Sequence, residues 1–378
     1  MIKICQIKSI SDIDKRKWQN LIEGTNPFLS YDFFYAMEKS GCTSFSSGWE
    51  PNHFIIKSNE SIIGLIPNFK KNNSYGEYIF DQSWANAYAS LGMRYYPKFL
   101  SAIPFTPINS NKFFFEKNIE NKLILQKLKE YLEKEDISSC HFNFINKEQS
   151  CLLNNKDFLT RKGIQYHWHN NNYHSFDDFL DSFKARKKKN ILKERKSIHD
   201  SGIVIEKKIG NEILKSDINF FFECYSSTID KKWSNKYLNL DFFQLLRTSD
   251  IVNQMVIFIA KDINNRKIAS TLSFFDNKKL FGRYWGSLID VPFLHFELCY
   301  YQSIEFAIEK GIILIESGAQ GEHKISRGYK PSIIYSNHWI KNYKIRIAIE
   351  DFLLKESYQI DETIKYLNKL LPYKQTKL

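Results

Sequence analysis

Hydrophobic residues along this chain alternate between short runs that suit strands and spacings that suit helices. In the first half, apolar runs bounded by turn residues predict strands at 3–9, 53–57, 62–69, 75–81 and 140–144. A polar turn at 70–74 makes 62–81 a predicted hairpin. Leucines at helical spacing predict an amphipathic helix at 118–134, so this half has a mixed α/β pattern.

The second half repeats the same order of elements. The matched segments are 28–34 with 237–243, 53–57 with 255–261, the hairpin 62–81 with 269–284, the helix 118–134 with 295–310, and the strand 140–144 with 312–317. The first of these pairs ends both times in Asp-Phe-Phe. This order indicates a tandem duplication of one α/β unit.

A polar and basic junction separates the two copies, and it sets the predicted domains at 1–160, 161–198 and 199–378. Ser175 is the predicted N-cap of a short helix, and the cationic run 184–196 follows it. Apolar residues recur within and before that run, so we predict a helix with one buried stripe and one cationic face. A solvated face is the plainer interpretation of such a run, and polyanion binding is the alternative.

Composition narrows the class of protein. The 378 residues are 43% hydrophobic and 16% aromatic, which predicts a folded globular chain, and the net charge is +12. Lys is abundant throughout the chain, as are Asn and Ile. Part of the net charge can therefore reflect a general compositional bias and does not require an anionic partner. The 6 cysteines show no paired spacing, and no window resembles a signal peptide or a membrane span, so we predict a cytoplasmic protein with reduced thiols.

One stretch, 312–339, concentrates reactive side chains. Its β-branched start predicts a buried strand, and glycines then allow tight turns around Glu316, Gln320, Glu322, His323, Lys324 and Arg327. Loops that follow strands often carry chemistry. A polar turn without function is the alternative.

Several motifs distributed over the chain carry a family resemblance. They are Gly48-Trp-Glu-Pro51, Gly76-Glu-Tyr-Ile-Phe-Asp81 with Trp84-Ala85, Tyr95-Tyr-Pro-Lys98, Pro104-Phe-Thr-Pro107, Gly282-Arg-Tyr-Trp-Gly286, Leu294-His-Phe-Glu297 with Cys299-Tyr300, and Gly318-Ala-Gln-Gly-Glu-His-Lys324 with Arg327-Gly328. The chain resembles the FemAB-like (peptidoglycan biosynthesis/recognition) family of the GNAT-like acyl-CoA N-acyltransferase superfamily. The resemblance implies two tandem GNAT-like α/β domains with mixed central sheets flanked by helices. It also implies transfer of an acyl or aminoacyl group from a thioester or ester carrier to an amine, linked to peptidoglycan precursors.

Residue chemistry suggests roles within this scheme. Glu322 and His323 are the first candidates for proton transfer, and His295 and Glu297 are the second. The candidates for substrate binding are Arg283, Trp285, Gln320, Lys324 and Arg327 in the second domain, with Glu77, Asp81 and Trp84 in the first. For each of them, capping, packing or plain surface charge is the competing interpretation.

The donor and the partners stay open at this point. The acyltransferase phosphate signature appears only in altered form, as Arg283-Tyr-Trp-Gly286, so acyl-CoA and aminoacyl-tRNA both remain candidate donors, the latter through the basic run 184–196. His295 and Cys299 alone make a weak metal site, and no metal is expected. The rival interpretation is a noncatalytic protein of the same fold that binds a cell-wall precursor, a peptide or RNA.

Overall fold

The computed structural model describes residues 2–22, 24, 26–117, 119–154, 157–231, 235–318 and 321–374. Its contacts form two compact units: unit 1 is Met1–Ile164 with Ile333–Thr363, and unit 2 is Gln165–Ser332 with Ile364–Leu378. The predicted domains are continuous segments, whereas each observed unit combines two segments. Residues 333–363 group with unit 1 because their strand pairs there and their helix packs there.

The elements follow one another in a mixed α/β order. Up to residue 154 they are β1 (Ile2–Ile7), α1 (Lys15–Leu21), α2 (Tyr31–Lys39), β2 (Trp49–Pro51), β3 (His53–Ser58), β4 (Ser61–Ile66), β5 (Phe69–Lys71), α3 (Gln82–Ser90), β6 (Lys98–Ser101), β7 (Phe114–Phe115), α4 (Asn121–Lys134), β8 (Ser139–Ile145) and α5 (Lys147–Asn154). They continue as β9 (Leu159–His169), α6 (Phe176–Asp181), α7 (Ala185–Asp200), β10 (Val204–Ile209), α8 (Lys215–Lys231), α9 (Leu240–Arg247), β11 (Met255–Lys261), β12 (Lys267–Phe275), β13 (Lys279–Ser287), α10 (Leu294–Phe296), a π-helical turn (Glu297–Tyr301), α11 (Gln302–Glu309), β14 (Leu314–Glu316), a 3₁₀ turn (Glu322–Arg327), β15 (Lys330–Ile340) and α12 (Tyr343–Lys369).

Unit 1 has two groups of paired strands. One is antiparallel, in the order β1-β3-β4-β7. The other has the order β15-β8-β6-β5-β2, in which only β6 and β8 are parallel. Helix α4 covers the core of this unit through Leu125, Leu128 and Leu132, which pack with Phe54 and Phe142.

Unit 2 has one continuous group of paired strands that again contains a parallel pair. Its strand order is β10-β11-β12-β13-β14-β9, and only β13 and β14 are parallel. In both units a parallel pair, joined by a connection that contains a helix, lies between two antiparallel neighbours. The predicted duplication and the α/β class with mixed sheets and flanking helices are therefore confirmed.

The repeated Asp-Phe-Phe segments begin helices α2 and α9. Ser30 caps α2 by accepting from the Phe33 N–H, and Asn239 caps α9 by accepting from the Phe242 N–H. The acidic residue then lies in the first turn, where the helix dipole favours it, and both phenylalanines are buried. This shared start explains why the pattern recurs in sequence.

The prediction of a hairpin at 62–81 is wrong for its second strand, at 75–81. Residues 75–81 contain no strand, and both Gly76 and Tyr78 have positive φ, which interrupts extended backbone. The antiparallel partners of β5 are β6 and β2 instead. Helices α3, α5, α8 and α12 are additions that the sequence analysis does not predict.

Unit 1 contains a buried network of charged groups. The Lys98 ammonium is fully buried and donates to Glu77 at 2.9 Å, to Ser74 at 2.9 Å and to Asp81. Lys71 lies 3.8 Å from Glu77. Each buried charge is thus compensated by an opposite one, which buried ions require.

The network continues through two buried histidines. Tyr95 donates to Asp81 at 2.6 Å and lies 3.2 Å from His141 Nε2, while His141 Nδ1 lies 2.7 Å from His338 Nδ1. Burial lowers the pKa of His141 to about 3 and lowers that of His338 well below its usual value. Both rings are therefore neutral near pH 7, and one N–H can donate to the other nitrogen.

Helix α8 passes very close to β13 at Gly286. A Cβ on Gly286 would lie 2.0 Å from the carbonyl oxygen of Cys224, whereas the nearest atom to a Cβ on Gly282 would be 3.6 Å away. We expect Gly286→Ala to lower the free energy of unfolding by about 2 kcal/mol or more, because backbone must move. Gly282→Ala, the matched control in the same strand, should change it by less than about 1 kcal/mol. Urea unfolding of both variants measures this, and equal midpoints would contradict it.

The histidine pair predicts a pH dependence of stability. The unfolded chain binds a proton at each histidine below about pH 6.5, while the folded chain leaves His338 neutral, so stability is lost as pH falls below that value. We expect His338→Gln to reduce this slope between pH 4 and 6 by up to about 1.4 kcal/mol per pH unit. Denaturant unfolding across this range is the measurement. The control is His199→Gln, whose side chain is 91% exposed and should leave the slope unchanged.

Candidate active site

The parallel strands of unit 2 separate soon after they meet. Their ladder pairs Lys279, Leu280 and Phe281 with Leu314, Ile315 and Glu316. Beyond it a cavity of about 110 Å³ opens between the two strands, lined by Thr271, Ser273, Gly282, Arg283, Tyr284, Trp285, His295, Cys299, Tyr300 and Ser317. The sequence-predicted residues Arg283, Trp285 and His295 thus share one cavity.

A β-bulge shapes the β13 wall. Leu272 pairs with Tyr284 and Ser273 pairs with Gly282, so Arg283 is the extra residue of β13. Bulges re-aim side chains and are common beside active sites. The Arg283 guanidinium lies 5.3 Å from the Tyr284 ring centroid, at the cavity wall.

The opposite wall comes from the helix after β13. Its π-helical turn, Glu297–Tyr301, contributes Cys299 and Tyr300. His295, one turn earlier, packs edge-on against Trp285 with 5.3 Å between ring centroids. Single π-turns are rare in helices and are frequent at functional sites, because the wider turn shifts the side chains that follow.

His323 reaches this wall through Tyr300. Its Nε2 lies 2.9 Å from the Tyr300 hydroxyl, and its ring centroid is 6.2 Å from that of His295. Burial, followed by the charges of Arg327 and Lys324, lowers the pKa of His323, and burial raises the pKa of Tyr300. At neutral pH both groups are uncharged, so the pair consists of a neutral base and a neutral acid.

Lys324 ties the 3₁₀ turn to the end of β14. Its buried ammonium donates to the carbonyl oxygens of Ser317 at 2.6 Å and Gly318 at 3.3 Å. Burial is the main cause that lowers the pKa of Lys324 to about 8. This lysine therefore fixes one edge of the cavity and carries a proton that it can lose under mildly basic conditions.

Arg327 is held entirely by protein acceptors. Nε donates to Tyr301 at 3.1 Å, and Nη1 donates to the His323 carbonyl at 3.0 Å and to Ser326 at 3.2 Å. Nη2 donates to both oxygens of Glu194, at 2.9 and 3.0 Å. All three guanidinium nitrogens therefore bind protein acceptors.

Glu297 forms an ion pair with Arg195 and, among the residues that the structure describes, none with the 3₁₀ turn. Arg195 of α7 binds it at 3.1 and 3.2 Å and also binds Glu305, at 2.7 Å. Burial raises the pKa of Glu297, which Arg195 opposes. Glu297 lines a surface groove with Leu192 and Arg195, and it is not among the residues that line the cavity between β13 and β14.

The remaining predicted residues lie apart from that cavity or outside the description. Glu322 is exposed at the start of the 3₁₀ turn, and Gln320 lies outside the described residues. In unit 1, Glu77 and Asp81 are buried partners of Lys98, and Trp84 packs edge-on against His338 with 4.8 Å between centroids.

The altered phosphate signature does not form a phosphate cradle. Tyr284, Trp285 and Gly286 lie inside β13 and pair with β12 residues, so this segment is sheet ladder instead of a loop at a helix start. These residues do not fit the pyrophosphate of CoA. Among the described residues, no group of three or more His, Cys, Asp or Glu side chains is placed to hold a metal ion.

The basic run forms helix α7 with two distinct faces. Arg186, Lys189, Lys193 and Lys196 are exposed, while Ile191 and Ile198 are buried. The inner side also presents Glu194 and Arg195 to the 3₁₀ turn and to the π-turn. The predicted helix and its cationic face are confirmed, whereas the predicted buried stripe of Leu180, Phe183, Ile191 and Leu192 is wrong at Leu192, which is exposed.

The sequence analysis does not predict Tyr300, Tyr301, Glu194 or Arg195 as site residues. Tyr300 lies in a family motif, directly after Cys299, and this position is the one feature of the sequence that could have identified it. Glu194 is 133 positions from Arg327, so their pairing has no local sequence signature.

Comparisons with known proteins agree with this fold. FemX has a TM-score of 0.54 and 11% identity, covering 89% of this chain and 98% of that chain. L-PGS from Bacillus licheniformis has a TM-score of 0.51 and 11% identity, covering 84% and 95%. The C-terminal domain of a putative lysylphosphatidylglycerol synthetase from Agrobacterium fabrum has a TM-score of 0.53 and 8% identity, covering 92% and 97%.

Comparison with curated proteins gives no match. No helix in the described part of the chain is long and apolar enough to cross a membrane. The FemAB-like family model, described as peptidoglycan biosynthesis/recognition, matches residues 9–375. Because this match extends over nearly the whole chain, the protein belongs to the FemAB-like family, as its sequence motifs predict.

Proposed function

We propose that this protein is a transferase that moves an aminoacyl or acyl group from an activated carrier to an amine, in the cavity between β13 and β14. The observation that carries the proposal is the neutral Tyr300–His323 pair beside an opening in a parallel strand pair. Membership of the FemAB-like family supports the reaction class and a peptidoglycan precursor as the acceptor.

The reaction needs one proton transfer in each direction. The acceptor nitrogen attacks the donor carbonyl carbon, and the bond from that carbon to the carrier's oxygen or sulfur breaks. His323, with a neutral imidazole, takes the proton that the nitrogen loses, through the Tyr300 hydroxyl at the cavity wall. The same pair returns a proton to the departing carrier, so the enzyme is unchanged at the end.

Charge develops on the carbonyl oxygen during the attack. Arg283 is the cation at the cavity wall, and a guanidinium there stabilises an oxyanion. Arg327 is not assigned this role, because all three of its guanidinium nitrogens already bind protein acceptors. Lys324 instead holds the carbonyl oxygens at the end of β14 in place.

The carrier we favour is an RNA-linked aminoacyl ester. The CoA-type phosphate motif lies inside a strand, while α7 presents exposed cations at helical spacing. A cationic face of this kind suits a phosphodiester backbone better than a single pyrophosphate. Helix α7 also contacts the π-turn that supplies Tyr300, so a carrier seated on it lies near the cavity of the same unit.

Loss of the proposed base should abolish turnover and leave binding nearly intact. We expect His323→Gln to lower kcat by about 10²- to 10⁴-fold, because proton transfer contributes that much, with the donor Kd changed less than about threefold. The assay incubates charged tRNA with a peptidoglycan-precursor pool and follows acceptor mass by mass spectrometry.

Two further variants serve as a control and as a test of the alternative base in that assay. His199→Gln, at an exposed histidine of α7, should keep wild-type kcat. Glu322→Gln tests the other candidate base: if it abolishes turnover and His323→Gln retains it, the base is Glu322. Full activity of both variants would contradict a proton-transfer role for the 3₁₀ turn.

The exposed face of α7 should contribute to the salt dependence of RNA binding. We expect the triple substitution Arg186→Gln, Lys189→Gln and Lys193→Gln to reduce the slope of log K against log[salt] by about 2, since each lost phosphate contact removes about 0.7–0.9. Fluorescence anisotropy with labelled tRNA measures the slope.

The control for that experiment removes the same charge elsewhere in unit 2. Lys215, Lys278 and Lys310 are exposed and lie outside α7, so their triple Gln variant should change the slope by less than about 1. Equal effects of the two triples would mean that binding follows net charge, and would contradict a specific role for α7.

A further inference from the structure

We propose that Glu194 of α7 is a positioning residue: it holds Arg327, and through Arg327 it fixes His323 against Tyr300. The inference rests on the proposed function only where it concerns turnover. Its structural part stands on hydrogen bonds that connect a helix surface to the acid–base pair.

A closed ring of hydrogen bonds joins three side chains. Glu194 accepts two bonds from Arg327 Nη2 and a third from the Tyr301 hydroxyl, and Tyr301 accepts from Arg327 Nε at 3.1 Å. Arg327 is 6% exposed and Tyr301 is fully buried. A closed, mostly buried ring of this kind has one low-energy arrangement, so it fixes the side chain of Arg327.

The ring is linked to the backbone of His323. Arg327 Nη1 donates to the His323 carbonyl at 3.0 Å, and the guanidinium carbon lies 3.4 Å from the Phe296 ring centroid. The His323 imidazole is held separately by the Tyr300 hydroxyl. His323 is therefore fixed at two points, and at the backbone point its carbonyl accepts from Arg327 and from the Ser326 hydroxyl, which Arg327 Nη1 also binds.

Glu194 is the only carboxylate bound to Arg327 among the described residues. Without it, a nearly buried guanidinium would have no opposite charge, and such a group leaves its position or recruits water. The 3₁₀ turn would then lose one of the two side-chain contacts on the His323 carbonyl, which also accepts from the Ser326 hydroxyl at 2.8 Å. Because Glu194 does not line the cavity, its effect on the reaction must pass through Arg327.

The test uses Glu194→Gln in the full chain, with Glu305→Gln as the matched control. Glu305 forms an ion pair between α11 and the same helix α7, through Arg195, but it has no contact with the 3₁₀ turn. We expect Glu194→Gln to lower kcat about 10- to 100-fold with KM changed less than threefold, because orientation of a catalytic group is lost. Glu305→Gln should keep both constants within twofold.

A second readout does not depend on turnover. The imidazole ¹⁵N resonances of His323, assigned with His323→Gln, report its bond to Tyr300. In Glu194→Gln they should move toward the values of a solvated histidine without a hydroxyl partner, and in Glu305→Gln they should stay at wild-type values. If wild-type protein shows no transfer but these shifts occur, the positioning role stands and the proposed function fails.

Two outcomes would overturn the inference. One is a Glu194→Gln protein with wild-type kcat and unchanged His323 resonances. The other is an equal loss in Glu194→Gln and Glu305→Gln, which would indicate general loosening of α7. If Glu194→Gln does not fold, Tyr301→Phe opens the ring by removing a single hydroxyl, and the same resonance change with a kcat loss of about threefold or more is expected.

Discussion

The early separation of two parallel strands is the constraint on which this site depends. Strands β13 and β14 share a ladder of only three residue pairs, and the backbone beyond it has to satisfy its polar groups in other ways. On β13 the bulge at Arg283 shifts the register of the pairing with β12, and on the β14 side Lys324 binds the carbonyls of Ser317 and Gly318. On the β14 side of the cavity, side-chain contacts therefore take the place of ladder bonds.

Buried charge explains why the wall of this cavity is rigid. On its inner side, α7 places Glu194 against Arg327 and Arg195 against Glu297, so one helix holds both the 3₁₀ turn and the π-turn. Ion pairs this close to the interior contribute little net stability, but they make wrong arrangements costly. The basic helix therefore has a structural inner face as well as a cationic outer one.

The sequence predicts the elements far better than it predicts their contacts. Strand β11 falls at the predicted 255–261, and the duplication is visible because the capped Asp-Phe-Phe start is a local pattern. The hairpin at 75–81 fails because its apolar residues also suit a turn, and the positive φ of Tyr78 depends on packing that the sequence does not display. For the site, three predicted residues share the cavity, whereas Glu194 pairs with a residue 133 positions away.

The two copies have used the same parallel pair in different ways. In unit 1, Lys98 of β6 and His141 of β8 are buried, and Asp81 and Tyr95 connect them by hydrogen bonds. Such groups cannot meet a substrate without giving up partners that their burial requires. In unit 2, Arg283 of the corresponding strand β13 and Ser317, which directly follows β14, line a cavity. After a duplication, one copy can thus keep a fully packed interior while the other loses packing and forms a cavity. We propose that the reaction takes place in that cavity.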